Sequence, residues 1–177
     1  MKTNVGVTIA ILNANNQVVN NRHARAITKE LLVCRLCIIL LSLYELMVEI
    51  NIIHLALFQL GLFVSLMRLS YQRKIKEMKM WSEQVAGMGR ERQKNFLEYC
   101  QRMIRENFIF NLHQRNLTYM TINEQNFATR FAPFVNERNV MGIMDELSEA
   151  QLHIEQNVNA KMVFFDFSLK MIVLLKQ

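Results

Sequence analysis

Two cysteines stand at the spacing that redox and zinc sites use. Cys34 and Cys37 form a CxxC pair, which could supply two thiolate ligands or a disulfide. No second CxxC accompanies it, and Cys100 and the four histidines are scattered without ligand spacing. We therefore expect structural cysteines, no metal site and no cofactor.

Catalysis by histidine or by a glycine-rich phosphate loop finds little support. His113 and His153 could titrate near neutral pH, yet neither has a Ser, Cys or carboxylate partner at a recognisable catalytic spacing. Gly87-Met88-Gly89 and Gly142 match neither GxxxxGK[ST] nor GxGxxG after a strand. We expect no catalytic residues and no ATP hydrolysis by this chain.

A basic cluster could contact phosphates. Arg90, Arg92 and Lys94 lie together, with the aromatic residue Phe96 nearby. Phe96, however, fits an apolar helical stripe, and interleaved acids dilute the positive field: Glu91, Glu98 and Glu106. A solvated helix face is the preferred interpretation, and a nucleic-acid-binding module is the weaker alternative.

The elements that would position these residues are helices. Half of the 177 residues are hydrophobic, but only five are Gly and one is Pro, so the turns that sheets need are scarce. The net charge of +6 is modest, and acids alternate with bases. We predict an all-α protein with one main domain, a helical bundle, preceded by an apolar and poorly patterned N-terminal segment.

Amphipathic helices are predicted from about Leu62 onward. The glycines at 87 and 89 suit a helix stop. Apolar residues at three- and four-residue steps predict a helix over 90–112, and Thr121 and Glu124 have the spacing of a capping box. Asn136 can cap a further helix, whose apolar stripe includes Met144 and Leu147.

The last predicted helix, over about 160–176, is apolar nearly all round. Such a helix is central to a bundle or is covered by a partner subunit. We expect Phe164 and Phe165 to pack in the core or at an interface, as we expect for Met144 and Leu147. The twelve methionines fit core filling or an adaptable partner surface.

The N-terminal part is harder to interpret. A short β-like run, Val5–Leu12, lies in a polar, Asn-rich tail that lacks the h-region of a signal peptide, so a reducing cytoplasm is expected. Ile50–Met67 carries no formal charge and is followed by basic residues, as in a membrane span whose C-terminal side is cytoplasmic. Asn51 and His54 would be costly there.

The C-terminal sequence resembles a known family. Asn157, Asn159, Lys161 and Asp166 match the pattern Asn-x-Asn-x-Lys plus an acid that opens the closing helix of clamp-loader subunits. FAPFVNERNVMGIMDELSEAQLHIEQNVNAKM and the stretch from LFVSLMRLSYQRKIKEMKMW to MIRENFIFNL are similar to the delta-prime subunit of bacterial DNA polymerase III, Bacteroidetes type. The likeness covers about two-thirds of the chain.

This resemblance implies a collar domain that oligomerises over 62–177. In the family, the collar holds a hetero-pentamer that loads the sliding clamp onto primed DNA for replication, while neighbouring subunits hydrolyse ATP. The implied partners are other clamp-loader subunits, with the clamp and DNA contacted only indirectly.

The segment 1–61 departs from the family. It matches neither the ATPase-like module nor the lid expected before a collar, and the abrupt change near Leu62 favours a fragment whose upstream part is read out of frame over a replaced N-terminus. The alternative from another class is a membrane-anchored protein with the span Ile50–Met67 and a cytoplasmic helical interaction domain.

Overall fold

The computed structural model describes the backbone of residues 3–176 and the side chains of residues 35–114 and 116–176. Within this part of the chain the secondary structure is helical and no strand occurs. Two short 3-10 turns separate some of the helices. The α-helices are α1 (Thr3–Gln72), α2 (Ile75–Ala86), α3 (Arg90–Asn111), α4 (Ile122–Phe131), α5 (Val140–Glu155) and α6 (Ala160–Leu174). The predicted all-α class and helical bundle are confirmed.

The chain divides into two units, Met1–His54 and Leu55–Gln177. The backbone of the first unit is helical from Thr3 onward, so the β-like prediction for Val5–Leu12 is wrong. A strand needs a paired neighbour, and without one even β-branched residues adopt helix. The predicted division at Leu62 stays a prediction; Leu62 is the first buried residue among the described side chains.

Helix α1 carries a long exposed apolar surface. The segment Arg35–Gln72 contains a stretch apolar and long enough to cross a membrane, none of it buried. The large apolar side chains from Leu36 to Phe58 are exposed. The predicted span Ile50–Met67 differs from this run at its C-terminal end, because Phe63 and Leu66 are fully buried in the core of the second unit.

The core of the second unit is built from one face of each helix. On α3, the predicted stripe is buried at Phe96, Cys100, Met103 and Ile104, and the matching stripe of α5 is buried at Ile143, Leu147 and Ile154. Helix α6 packs against α2 and α5, and α3 packs against α5. The spacing of apolar residues in the sequence therefore identifies the inner faces of α3 and α5 correctly.

An aromatic cluster joins three of these helices. The Phe164 ring of α6 meets Trp81 of α2 edge-on, with centroids 6.1 Å apart, and lies 6.4 Å from Phe96 of α3. The indole Nε1 of Trp81 donates a hydrogen bond to the carbonyl of Leu62 at 3.2 Å, so the buried N–H is satisfied. Phe164 is thus at the centre of the bundle.

Three helices end at a residue with left-handed backbone. Arg73, His113 and Asn157 have φ of 56°, 61° and 67°, each just after a helix. At the end of α5, the Asn157 N–H donates to Ile154 and the Val158 N–H donates to His153, the pair of bonds of a Schellman motif. Asparagine tolerates this conformation better than arginine does.

The glycines between α2 and α3 work differently from the prediction. Gly87 ends α2 with ordinary right-handed geometry, whereas Gly89 precedes α3 with φ 85° and ψ 153°. A side chain rarely adopts that conformation. The residue that requires glycine is therefore at the start of α3 and not at the end of α2.

Helix α5 begins after Asn139, three residues beyond the predicted cap Asn136. The Asn136 side-chain oxygen accepts instead from the backbone N–H of Arg138 at 2.8 Å, within a turn. Asn139 is completely buried and its amide donates to the carbonyls of Phe134 at 2.8 Å and Leu174 at 3.1 Å. Asn139, immediately before α5, thus connects the segment after α4 to the end of α6.

Candidate assembly and binding surfaces

Helix α6 has one buried side and one apolar side that nothing in the described chain covers completely. Phe164, Phe167 and Met171 point into the core. On the other side, Met162 is 64% exposed and Val173 is 62% exposed. We call this side the α6 outer face; it consists of Met162, Phe165, Leu169, Ile172 and Val173, of which the middle three are half-buried.

The sequence predicted Phe164, Phe165, Met144 and Leu147 to pack or to form an interface. The structure distinguishes between them. Phe164 and Leu147 are fully buried, and Met144 is half-buried against the core. Phe165 lies at the edge, on the α6 outer face. The sequence could not distinguish the two phenylalanines, because α6 is apolar nearly all round. No polar stripe shows which of two adjacent positions faces the core.

Polar contacts at one border of α6 fix it to α5. Lys170 forms ion pairs with Glu146 at 2.7 Å, Glu149 at 3.2 Å and Asp166 at 3.2 Å. The hydrogen bond with Glu146, together with those of Asp166 and Glu149, raises the pKa of Lys170. The family-pattern residue Asp166 therefore acts here as a partner of Lys170.

The other pattern residues form the connection between α5 and α6. Asn157 takes the left-handed position after α5, and the Asn159 side chain accepts a hydrogen bond from the Lys161 N–H at 3.1 Å, capping α6. Asn159 thus has the helix-capping role that the sequence indicates. Lys161 is exposed, and among the described side chains it has no ion-pair partner.

Arg90 lies close to these residues, and the sequence did not reveal this proximity. Its Nη1 donates to the carbonyl of Ile154 at 3.3 Å, near the C-terminal end of α5. A cation there complements the partial negative charge of the helix end. Arg90, Asn157, Asn159 and Lys161 line one cleft of about 530 Å³. The basic cluster that contains Arg90 and the pattern that begins at Asn157 are far apart in sequence, and the packing of α3 against α5 brings them together.

The rest of the basic cluster does not form one patch. Lys94 forms an ion pair with Glu91 at 2.9 Å, and the hydrogen bond to Glu91 raises the pKa of Lys94. Arg92 is exposed. Since Arg90 is used at the end of α5, the three residues differ in their surroundings, which reduces the support for phosphate binding by this cluster.

Two buried acids form polar contacts that the sequence did not reveal. Glu124 and Glu106 are 3% and 2% exposed, although acids are usually found at the surface. Glu124 accepts hydrogen bonds from Tyr99 Oη at 2.9 Å and from Arg102. Glu106 accepts a hydrogen bond from the backbone N–H of Tyr119 at 2.8 Å. The two carboxylates thus fix the segment after α3 against that helix.

The charge state of this cluster follows from its contacts. Burial alone would raise the pKa of Glu124, but hydrogen bonds from Arg102, Thr121 and Tyr99 lower it below the ordinary value for glutamate. Burial, and then the nearby charge of Glu124, raise the pKa of Tyr99. Glu124 also completes the predicted capping box with Thr121: its carboxylate accepts a hydrogen bond from the Thr121 N–H at 2.8 Å. That prediction is confirmed.

The remaining reactive residues are dispersed. Cys100 is buried and burial raises its pKa, whereas Cys37 is exposed; the side chain of Cys34 lies outside the described residues. His113 is exposed and His153 is half-buried. Among the side chains described, no group of His, Cys, Asp or Glu could hold a metal ion.

The described methionines are divided between the core and the surface. Five are buried, and these are Met67, Met78, Met103, Met120 and Met171. Four lie exposed on different helices: Met47, Met80, Met141 and Met162. Exposed methionine is typical of surfaces that adapt to a partner.

Comparison with known proteins adds no identification, since no family model, curated protein or solved structure matches the chain.

Proposed function

We propose that the second unit is a non-catalytic assembly domain of the clamp-loader collar type, similar to that of delta-prime subunits. In this proposal, the domain holds other clamp-loader subunits in a hetero-pentamer and contacts the sliding clamp and primed DNA only indirectly. The chain itself contributes no catalytic residue.

The observation that carries the proposal is the α6 outer face. Met162 and Val173 are large, apolar and mostly exposed, and they continue the line of Phe165, Leu169 and Ile172 along one side of the helix. Isolated apolar residues at a surface are ordinary, but a continuous helical row favours a helix from another subunit as the cover.

The way α6 is held supports the same proposal. Asn159 caps the start of the helix and Lys170 ties its border to two acids of α5, so the outer face is supported by fixed neighbours. An interface that is already ordered loses less conformational entropy on binding. The pattern residues Asn157, Asn159 and Asp166 thus build and orient the surface, whereas the exposed Lys161 contributes only its backbone N–H.

The test is reconstitution with purified clamp-loader subunits of the Bacteroidetes type, followed by gel filtration with light scattering. The full chain is expected to join a stoichiometric complex. The double substitution Met162→Glu and Val173→Glu should abolish assembly while leaving the circular dichroism spectrum unchanged, because both side chains are already exposed.

Ile122→Glu is the matched control, since Ile122 is 78% exposed at the first turn of α4, where an acid is favourable. It should assemble normally. No complex with the unaltered chain, or equal assembly by the α6 double variant, would refute the proposal.

A second candidate function is supported by α1. Apolar side chains from Leu36 to Phe58 are exposed, and Ser42 and Asn51 donate hydrogen bonds to α1 carbonyls at 3.0 Å and 2.7 Å, which lowers their cost in a bilayer. This segment could anchor the chain in a membrane. Glu45 and Glu49 oppose it, because a carboxylate in hydrocarbon is costly.

Carbonate extraction of membranes from cells producing the full chain distinguishes the two candidates. Retention in the pellet, lost after Ile39→Lys and Ile53→Lys, would support the anchor. Complete release into the supernatant would exclude a spanning helix.

A further inference from the structure

An apolar pocket lies between α1, α4 and the segment after α4. Its volume is about 360 Å³, which is near the lower end for ligand pockets. Met67, Phe131 and Leu175, all nearly fully buried, form its base. The pocket uses none of the residues of the α6 outer face.

Aromatic rings form its walls and support one another. Phe127 and Phe131 are stacked with centroids 4.9 Å apart, and Tyr71 meets Phe134 edge-on at 5.2 Å. Phe63, fully buried behind them, packs edge-on against Phe127 at 5.8 Å. Because these rings are held by contacts to each other, the pocket is formed before any ligand arrives.

Two arginines line the same pocket. Arg68 of α1 and Arg130 of α4 are both exposed, and in the part of the chain whose side chains are described neither makes a hydrogen bond or an ion pair. Lys170 and Arg102, by contrast, form ion pairs with acids of the same unit. Two unpaired guanidinium groups beside an apolar cavity repel one another and attract a carboxylate.

We propose that this pocket binds an acidic peptide segment of a partner protein, inserting one aromatic or leucine-sized side chain between Tyr71 and Phe127 while flanking carboxylates pair with Arg68 and Arg130. The apolar base selects the inserted side chain. The arginines fix the direction of the peptide, since a guanidinium can bind a carboxylate through two parallel hydrogen bonds.

The geometry favours a peptide over single-stranded nucleic acid. Nucleic-acid sites present aromatic faces to successive bases along a row of cations. Here Phe127 and Phe131 stack on one another, and among the described side chains only two cations line the pocket. A single inserted side chain with two neighbouring carboxylates matches this arrangement better than a run of phosphates does.

The test uses the full chain and a fluorescein-labelled peptide in which one phenylalanine is flanked on both sides by aspartates in a Gly/Ser context. Fluorescence anisotropy should show saturable binding. Arg68→Gln and Arg130→Gln should each weaken binding by about fivefold, and the double variant by more than about tenfold. Replacing the peptide phenylalanine by alanine should weaken binding by about tenfold.

Arg138→Gln is the matched control, because Arg138 is likewise exposed and does not line the pocket. It should bind within about twofold of the unaltered chain. Unchanged binding by the double variant, or equal binding of a peptide with lysines in place of the aspartates, would overturn the proposal. Tighter binding of a labelled single-stranded oligonucleotide, lost in the same double variant, would also overturn it.

Discussion

The phenol of Tyr99 donates a hydrogen bond of 2.9 Å to the carboxylate of Glu124, a residue that is 3% exposed. The same carboxylate pairs with Arg102 and caps α4 through Thr121. Removing it by Glu124→Ala should lower the free energy of unfolding by about 3 kcal/mol, because it leaves buried donors without an acceptor and deletes a cap. Urea unfolding checks this, and the exposed Glu98→Ala should change stability by less than about 0.5 kcal/mol.

The same carboxylate predicts an acid-sensitive stability. Since the pKa of Glu124 is lowered in the folded state from its ordinary value of 4.5, its charged form stabilises the fold fully above that value. The contribution should be lost as the pH falls through the folded pKa, below 4.5. Unfolding of the unaltered chain and of Glu124→Gln, measured in this range, should show a shallower pH dependence for the variant. Parallel curves would contradict the assignment.

Phe164 and Phe165 should respond differently to substitution. Phe164 is fully buried against Trp81, so Phe164→Ala should cost about 4 kcal/mol and Phe164→Glu should prevent folding of the second unit. Phe165 is half-buried on the α6 outer face, so Phe165→Ala should cost about 1 kcal/mol. Thermal melting followed by circular dichroism compares them. Equal losses would contradict the distinction between the faces of α6.

The glycine before α3 should be irreplaceable. Gly89→Ala should destabilise the chain by about 2 kcal/mol, because φ 85° with ψ 153° is a conformation that an L side chain rarely adopts. Gly87→Ala, two residues earlier, should be tolerated within about 0.5 kcal/mol, since Gly87 has right-handed geometry and its added Cβ meets backbone oxygens no closer than 3.5 Å. The ordering of the two melting temperatures checks this.

Two helix ends should be improvable. Arg73→Gly and His113→Gly should each raise the free energy of unfolding by about 1 kcal/mol, because φ of 56° and 61° is costly for a residue with a Cβ. Both side chains are exposed. Arg92→Gly is the matched control, since Arg92 is exposed and has right-handed helical backbone in α3. It should lower the free energy of unfolding by about 1 kcal/mol. Urea unfolding of the three variants decides, and a loss of stability in the first two would contradict the prediction.

Helix periodicity predicted the inner faces of the bundle well, and the capping box of Thr121 and Glu124 was found from spacing alone. Both signals are local, and so they are readable in one sequence. The burial of Glu106 and Asn139 was not predictable from the residues beside them. Glu106 accepts a hydrogen bond from the backbone of Tyr119, and Asn139 donates to the backbone carbonyls of Phe134 and Leu174. A buried polar residue depends on distant acceptors or donors that no pattern in its own neighbourhood specifies.

The candidate surfaces were predicted less completely. The Asn157 to Asp166 pattern was recognised, yet its proximity to Arg90 required the packing of α3 on α5. The aromatic pocket gave no signal either, since Arg68 and Arg130 are far apart in sequence and each resembles an ordinary solvated cation. The N-terminal run Val5–Leu12 was misassigned because β propensity depends on pairing that the described chain does not supply.

The uncovered apolar side of α1 has a cellular consequence. Chaperones and proteases recognise exposed apolar segments, so free copies of this chain would be captured, degraded or aggregated at a rate set by how long residues such as Ile39 and Ile53 stay in water. Whatever shields the helix therefore also sets the abundance of the chain. Copies made in excess of that shield would not accumulate.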